Sequence, residues 1–155
     1  TLSKVMHTNL SKVGGVQYDD ANTAFAEKIL TTYKGDYSLA QAQEIGAFTT
    51  EKRKSAGSTD VGDVSWAVPT AGMSAATWVP GTSAHTWQAV AAGGTSIGYK
   101  GLIVAAKTIA LTALDIYNNP KIAEEAKKEL LVQRGANFKY ESLLGDREPP
   151  LDYRN

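Results

Sequence analysis

The stretch "GYKGLIVAAKTIALTALDIY", residues 98–117, sets the strongest limit on what this chain can fold into. Leu102, Ile103, Val104, Ala105, Ala106, Ile109, Ala110, Leu111, Ala113, Leu114 and Ile116 spread nearly all the way round a helical wheel. The spacing predicts a helix from about Tyr99 to Tyr117. A helix that is apolar on most sides is buried on most sides, so this one needs apolar surfaces against several faces. A chain of 155 residues has room for one domain with one core.

The flanking sequence offers helices first. "TLSKVMHTNLSKV" puts Leu2, Val5, Met6, Leu10 and Val13 at helical spacing, with Gly14 and Gly15 as the stop. "YDDANTAFAEKILTTYKG" reads as a second helix, capped by Asp19 or Asp20, with Phe25, Ile29 and Leu30 on its apolar face. Residues 35–58 mix a short helical piece with a polar loop, in which the basic run "EKRK" reads as a solvated surface. After the long helix, Asn119 and Pro120 open another that closes at Gly135. Its early Glu124 and Glu125 and later Lys127 and Lys128 mark it as exposed and amphipathic. The Pro-rich tail belongs on the surface.

The middle changes character. "DVSWAV" and "TAGMSAATWV" are rich in β-branched and aromatic residues, and Pro69 and Pro80 break them. They predict two short strands, at about 64–68 and 71–79. Two such strands cannot form a stable sheet alone. The expected fold class is therefore α/β, with several helices packed on a small number of β-strands, as part of a larger layered structure. The start at Thr1 fits a processed product or a piece of something longer.

Chemistry concentrates beside these segments. Asp60 and Asp63 precede the first, and His85 follows the second in "GTSAHTWQ". Oxygen and nitrogen donors of this kind can bind zinc or a similar divalent ion. Asp60 and Asp63 can equally cap a turn or helix after "GST", and a loop histidine can serve structure alone. Trp66, Trp78 and Trp87 suit either core packing or the walls of a pocket. His7 has no acidic company and reads as a surface or packing residue. Ser65, Ser74 and Ser83 sit in no G-x-S-x-G elbow, and "AAGGTSIGYKG" matches neither phosphate-binding glycine motif.

The blocks "GSTDVGDVSWAVPT", "AATWVPGTSAHTWQAVA" and "KGLIVAAKTIALTALDI" resemble the C-terminal part of the M20 family of metal-dependent amidohydrolases and peptidases, closest to its aminobenzoyl-glutamate branch. The resemblance implies a zinc-peptidase-like catalytic domain of α/β type, of which residues 1–155 are the C-terminal segment. Two divalent ions, zinc or manganese, are implied for the full protein and none tightly bound here. Hydrolysis of p-aminobenzoyl-glutamate, another acyl-amino acid or a dipeptide is the implied activity, in a homodimer formed through a lid domain. His85 matches the family's final metal ligand. Thr59, Asp60 and Asp63 match residues that order the loop or support ligands from behind. Gly81 and Thr82 match the loop that lies along the substrate. The family's other ligands, its general base and its lid have no counterpart here, so the segment is expected to be inactive alone. The other reading is a stand-alone binding or assembly module that pairs with a second chain.

Sixteen basic and sixteen acidic side chains cancel, leaving no electrostatic footprint for nucleic acid or an anionic membrane. No uninterrupted apolar run reaches the ~18 residues of a bilayer span. The absence of cysteine excludes disulfides and thiolate metal sites and fits the cytoplasm.

Overall fold

A computed structural model of the chain describes residues 1–51, 57 and 59–152. Residues 52–56, which hold most of the basic run, Ser58 of "GST" and the final residues 153–155 lie outside the described residues. Among the described residues six α-helices follow in order: α1 (Leu2–Val13), α2 (Asp20–Leu30), α3 (Val61–Ala67), α4 (Trp87–Gly93), α5 (Ser96–Asn118) and α6 (Lys121–Arg134). A short 3-10 turn, Leu39–Gln43, follows α2 and is the helical piece expected in that loop.

The expected α/β architecture is overturned: the described residues contain no strand. "DVSWA" is helical, as part of α3. Asp63 lies in its first turn, where a carboxylate favours the helix dipole. Val68 turns extended because it precedes Pro69, which disfavours helical geometry one residue back. Residues 69–77 are irregular, and among the described residues 71–78 make no backbone–backbone hydrogen bond. β-propensity alone cannot make a strand, because a strand exists only through its ladder partners.

Local signals placed the other helices well. Gly14 takes φ 85° after α1, and Gly135 takes φ 80° after α6. Asp19 caps α2 by accepting from the Asn22 backbone amide, while the Asn22 side chain accepts from the Asp19 amide. The Lys100 ammonium donates to the Asp19 carboxylate at 2.7 Å, and together with the cap it holds that carboxyl below its ordinary range. Thr95 caps α5, which therefore begins a turn earlier than its apolar pattern.

The core is small and lies around α2. Ala26 and Ile29 of α2, Leu39, Val79, Ala92 of α4 and Ile97 of α5 are buried together. Phe25 and Leu30 pack against them, partly buried. Gly101 lets the chain pass directly over α5, since a Cβ there would lie 2.0 Å from the Ala76 carbonyl oxygen.

The long helix departs most from expectation. Apart from Ile97 at its first turn, the buried residues of α5 are small or polar: Gly98, Gly101, Thr108 and Thr112. Thr112 meets α1 at its buried residue, Asn9, whereas Gly98 lies against the Gly93 carbonyl at the end of α4 and Gly101 against the Ala76 carbonyl. The Asn9 amide donates to Asp115 at 2.7 Å and to the Thr112 hydroxyl at 3.4 Å, and accepts from Lys12 at 3.0 Å. The large apolar side chains Leu102, Ile103, Ile109 and Leu114 point outward, each about half exposed. Hence α5 is not buried on most sides. By length and composition it is also apolar enough to cross a membrane, which the interrupted sequence run did not suggest.

Two outcomes test this arrangement. Asn9→Ala leaves the Asp115 carboxylate without its donor at a closed interface. It should cost about 1–3 kcal/mol, read as a lower midpoint in urea. The depressed Asp19 carboxyl contributes stability that is present above its unfolded pKa and lost as pH falls through its lower folded value. Asp19→Asn keeps a good cap but cannot titrate, so it should flatten the acid limb of a thermal-melt series below about pH 4.

Candidate functional site

The segment 80–86, "PGTSAHT", leads from the buried Val79 into α4 and carries the chain's second histidine. Its shape follows from its residues. Gly81 adopts φ 87°, a left-handed conformation that glycine enters freely. It also lies under the Tyr37 ring, where a Cβ would come within 2.7 Å of the ring carbon Cδ2. Thr82 turns back on the chain: its amide donates to the Val79 carbonyl at 3.2 Å, and its hydroxyl donates to the same oxygen at 2.6 Å. The Tyr33 hydroxyl meets the Thr82 hydroxyl, and the Tyr33 and Tyr37 rings make an edge contact with centroids 6.4 Å apart. Thr86 ends the loop by accepting from the Ala89 amide as the cap of α4.

Between these anchors stands His85. It has φ 62°, the one positive value at a non-glycine among the described residues. Histidine enters this region more readily than most residues, but at a cost of order 1–3 kcal/mol when the surroundings impose it. Its side chain is exposed, and among the described residues no hydrogen bond holds the ring. The imidazole is presented outward on a loop that is fixed at both ends.

The acidic candidates have partners of their own. Thr59 accepts from the Val61 amide and starts α3, with Asp60 at the helix entrance. Asp63 accepts from the Tyr140 hydroxyl at 3.1 Å, and this carboxylate pushes the phenol pKa up. Trp66 stacks on Phe138 with centroids 5.1 Å apart. Arg134 sits over the Phe138 ring and donates to the Trp66 carbonyl at 2.7 Å. So α3 is fastened to the end of α6 and the segment that follows it, while Gly81 and Thr82 are fastened to the tyrosines at the end of α2. Among the described residues no three His, Asp or Glu side chains come together as a metal site. A catalytic zinc takes about three protein donors, so this chain's residues do not by themselves fit the implied metal pair.

The remaining candidates resolve simply. His7 contacts the Gly46 carbonyl at 2.8 Å through Nε2 and packs against Phe48, the packing role expected of it. Trp66, Trp78 and Trp87 are all substantially exposed and none belongs to the core. Trp78 lines an open groove of about 430 Å³ with Ala42, Ala76, Gly81 and Thr82. Sequence reasoning missed α4 and the two tyrosines that hold the loop. The signal for α4 was Thr86 followed by the helix-compatible run "WQAVAA"; for Tyr33 and Tyr37 there was no periodic signal.

No protein-family profile matches the chain, and no solved structure does. The chain is 31% identical over 153 residues to one of the subunits of the p-aminobenzoyl-glutamate hydrolase of Escherichia coli (strain K12). The alignment takes in 83% of this chain and 32% of that protein. The chain thus spans about a third of the relative's length. The resemblance carried by the motif blocks holds: the chain is related to part of a hydrolase subunit.

The backbone of His85 can be probed apart from its ring. His85→Gly relieves the left-handed conformation and should leave the melting temperature equal or higher. His85→Val should lower stability by about 1–2 kcal/mol, because a β-branched residue is poorest at positive φ. Equal melting curves for the two variants would show that the φ value carries no strain.

Proposed function

We propose that the chain is the C-terminal segment of a metal-dependent amide hydrolase whose substrate is p-aminobenzoyl-glutamate or a related N-acyl-amino acid. The observation that carries this reading is the likeness to the hydrolase subunit, which runs across most of this chain but only a third of that protein. Within the segment, His85 is the residue offered to the site. It is exposed, it is set at positive φ, and its loop is anchored by Tyr33, Tyr37 and the Thr86 cap. Neutral imidazole is a good donor to zinc or manganese, and one such donor is this chain's share. Gly81 and Thr82, on the same loop, border an open groove and would shape the approach of a substrate. Thr59, Asp60 and Asp63 act at one remove, by fixing the entrance of α3. The remaining metal donors and the proton-transferring group at the amide bond lie on chain outside these residues. The segment alone is therefore inert.

The test compares the complete protein with its His85→Ala form, using p-aminobenzoyl-glutamate as substrate and measuring bound metal in parallel. The intact protein should hydrolyse the amide. The variant should lose metal and on the order of 100-fold or more of its turnover, at least the loss seen when groups supporting a metal ligand are removed. Normal turnover with normal metal content in His85→Ala would remove His85 from the site. The isolated 155-residue chain should show no hydrolysis with either metal.

A further inference from the structure

We propose that the outward face of α5 is the surface on which the rest of the longer hydrolase chain docks. This inference rests on the functional reading above.

The face is continuous. At about 100° per residue, Tyr99, Leu102, Ile103, Ala106, Ile109, Ala110, Ala113, Leu114 and Tyr117 fall on one side of the helix, with no charged residue among them. Leu102, Ile103, Ile109 and Leu114 are 57, 49, 53 and 54% exposed, and Tyr117 is 83% exposed. From Tyr99 to Tyr117 the stripe runs about 28 Å, close to the diameter of a small domain. Single exposed apolar residues are ordinary, but a full-length stripe of them on one helix marks an interaction surface.

The opposite side of α5 sharpens the point. It is already used, and it is used by small and polar groups: Gly101 under the chain at Ala76, buried Thr108, and Thr112 and Asp115 against Asn9. The helix thus spends its polar face on its neighbour in this chain and keeps its apolar face for something else. Folding of this chain alone would favour the reverse rotation, since burying the leucines and isoleucines gains about 25 cal/mol per Å² of apolar surface. The Asn9 seam holds the observed rotation, which leaves the gain from burying the stripe to another layer.

The occupant follows from length. The related hydrolase subunit is about three times as long as the aligned segment. A covering layer on the same polypeptide docks at high effective concentration and needs no separate association step. A bilayer suits the face less well. Lys107 sits at its margin, and α1, joined to the other side through Asn9, carries exposed Lys4 and Lys12. Those ammonium groups would be costly at membrane depth.

The absence of cysteine in this chain makes the test direct. Leu102→Cys, Ile109→Cys and, on exposed α6, Lys128→Cys are each made in the isolated chain and in the full-length protein, and reaction with a maleimide is followed by peptide mass mapping. Circular dichroism confirms that each variant folds. The expected result is that all three sites react in the isolated chain. In the full-length protein, positions 102 and 109 should slow at least ~10-fold while position 128 stays reactive. Reaction at 102 and 109 as fast as at 128 in the full-length protein overturns the proposal. So does protection in the isolated chain accompanied by a doubled mass, which would mean a second copy. Protection that needs added phospholipid vesicles also overturns it, in favour of a bilayer. An immunoblot of source cells separates the two readings. A native product of 16.5 kDa defeats the functional reading together with this one. A heavier product with reactive sites defeats this one alone.

Discussion

The contact on which the rest of the structure depends is the polar seam between α1 and α5. Asn9 is fully buried there, and its amide ties together Asp115, Thr112 and Lys12. A buried amide tolerates few geometries, because each unsatisfied donor or acceptor costs free energy. The seam therefore fixes the rotation of α5 about its own axis. Once that rotation is fixed, Thr108 and Gly101 must face inward, and Leu102, Ile103, Ile109 and Leu114 must face outward. The same choice brings Gly101 under the chain at Ala76 and sets the approach to the histidine loop.

The loop from Pro80 to Thr86 shows how a small core can hold an exposed side chain firmly. Val79 is buried at one end and Ala89 of α4 at the other. Tyr33 and Tyr37, just beyond the end of α2, clasp Gly81 and Thr82 between them. What remains free is the imidazole of His85, at a backbone conformation that costs free energy unless the surroundings impose it. The acidic residues that accompany it in sequence are engaged elsewhere, with Asp63 bonded to Tyr140 and α3 fastened to Phe138 and Arg134. None of these partners belongs to the histidine loop.

Together these features describe a chain whose polar groups are largely satisfied within itself and whose apolar surface is not. Its relation to about a third of a longer hydrolase subunit gives that imbalance a physical meaning. The seam, the caps and the tyrosine clasp are interactions that a segment can make alone. On the reading proposed above, a cover over α5 and further donors around His85 would have to come from outside this chain.

Helix ends were legible in the sequence because they are set by groups a few residues apart. Asp19 with Asn22, Gly14 and Gly135 each act within one turn of their own helix. His85 was legible as a candidate because the small residues before it announce a sharp turn and the motif around it is distinctive. The two strands were misread, since β-branched and aromatic residues state a preference that only pairing can realise, and 71–78 find no ladder partner among the described residues. The burial of α5 was misread for a related reason. Its composition told that it is apolar nearly all round, but not which side would meet α1. That was decided by one buried asparagine and its partners Thr112 and Asp115, 103 and 106 residues further along, through distances that no local pattern encodes.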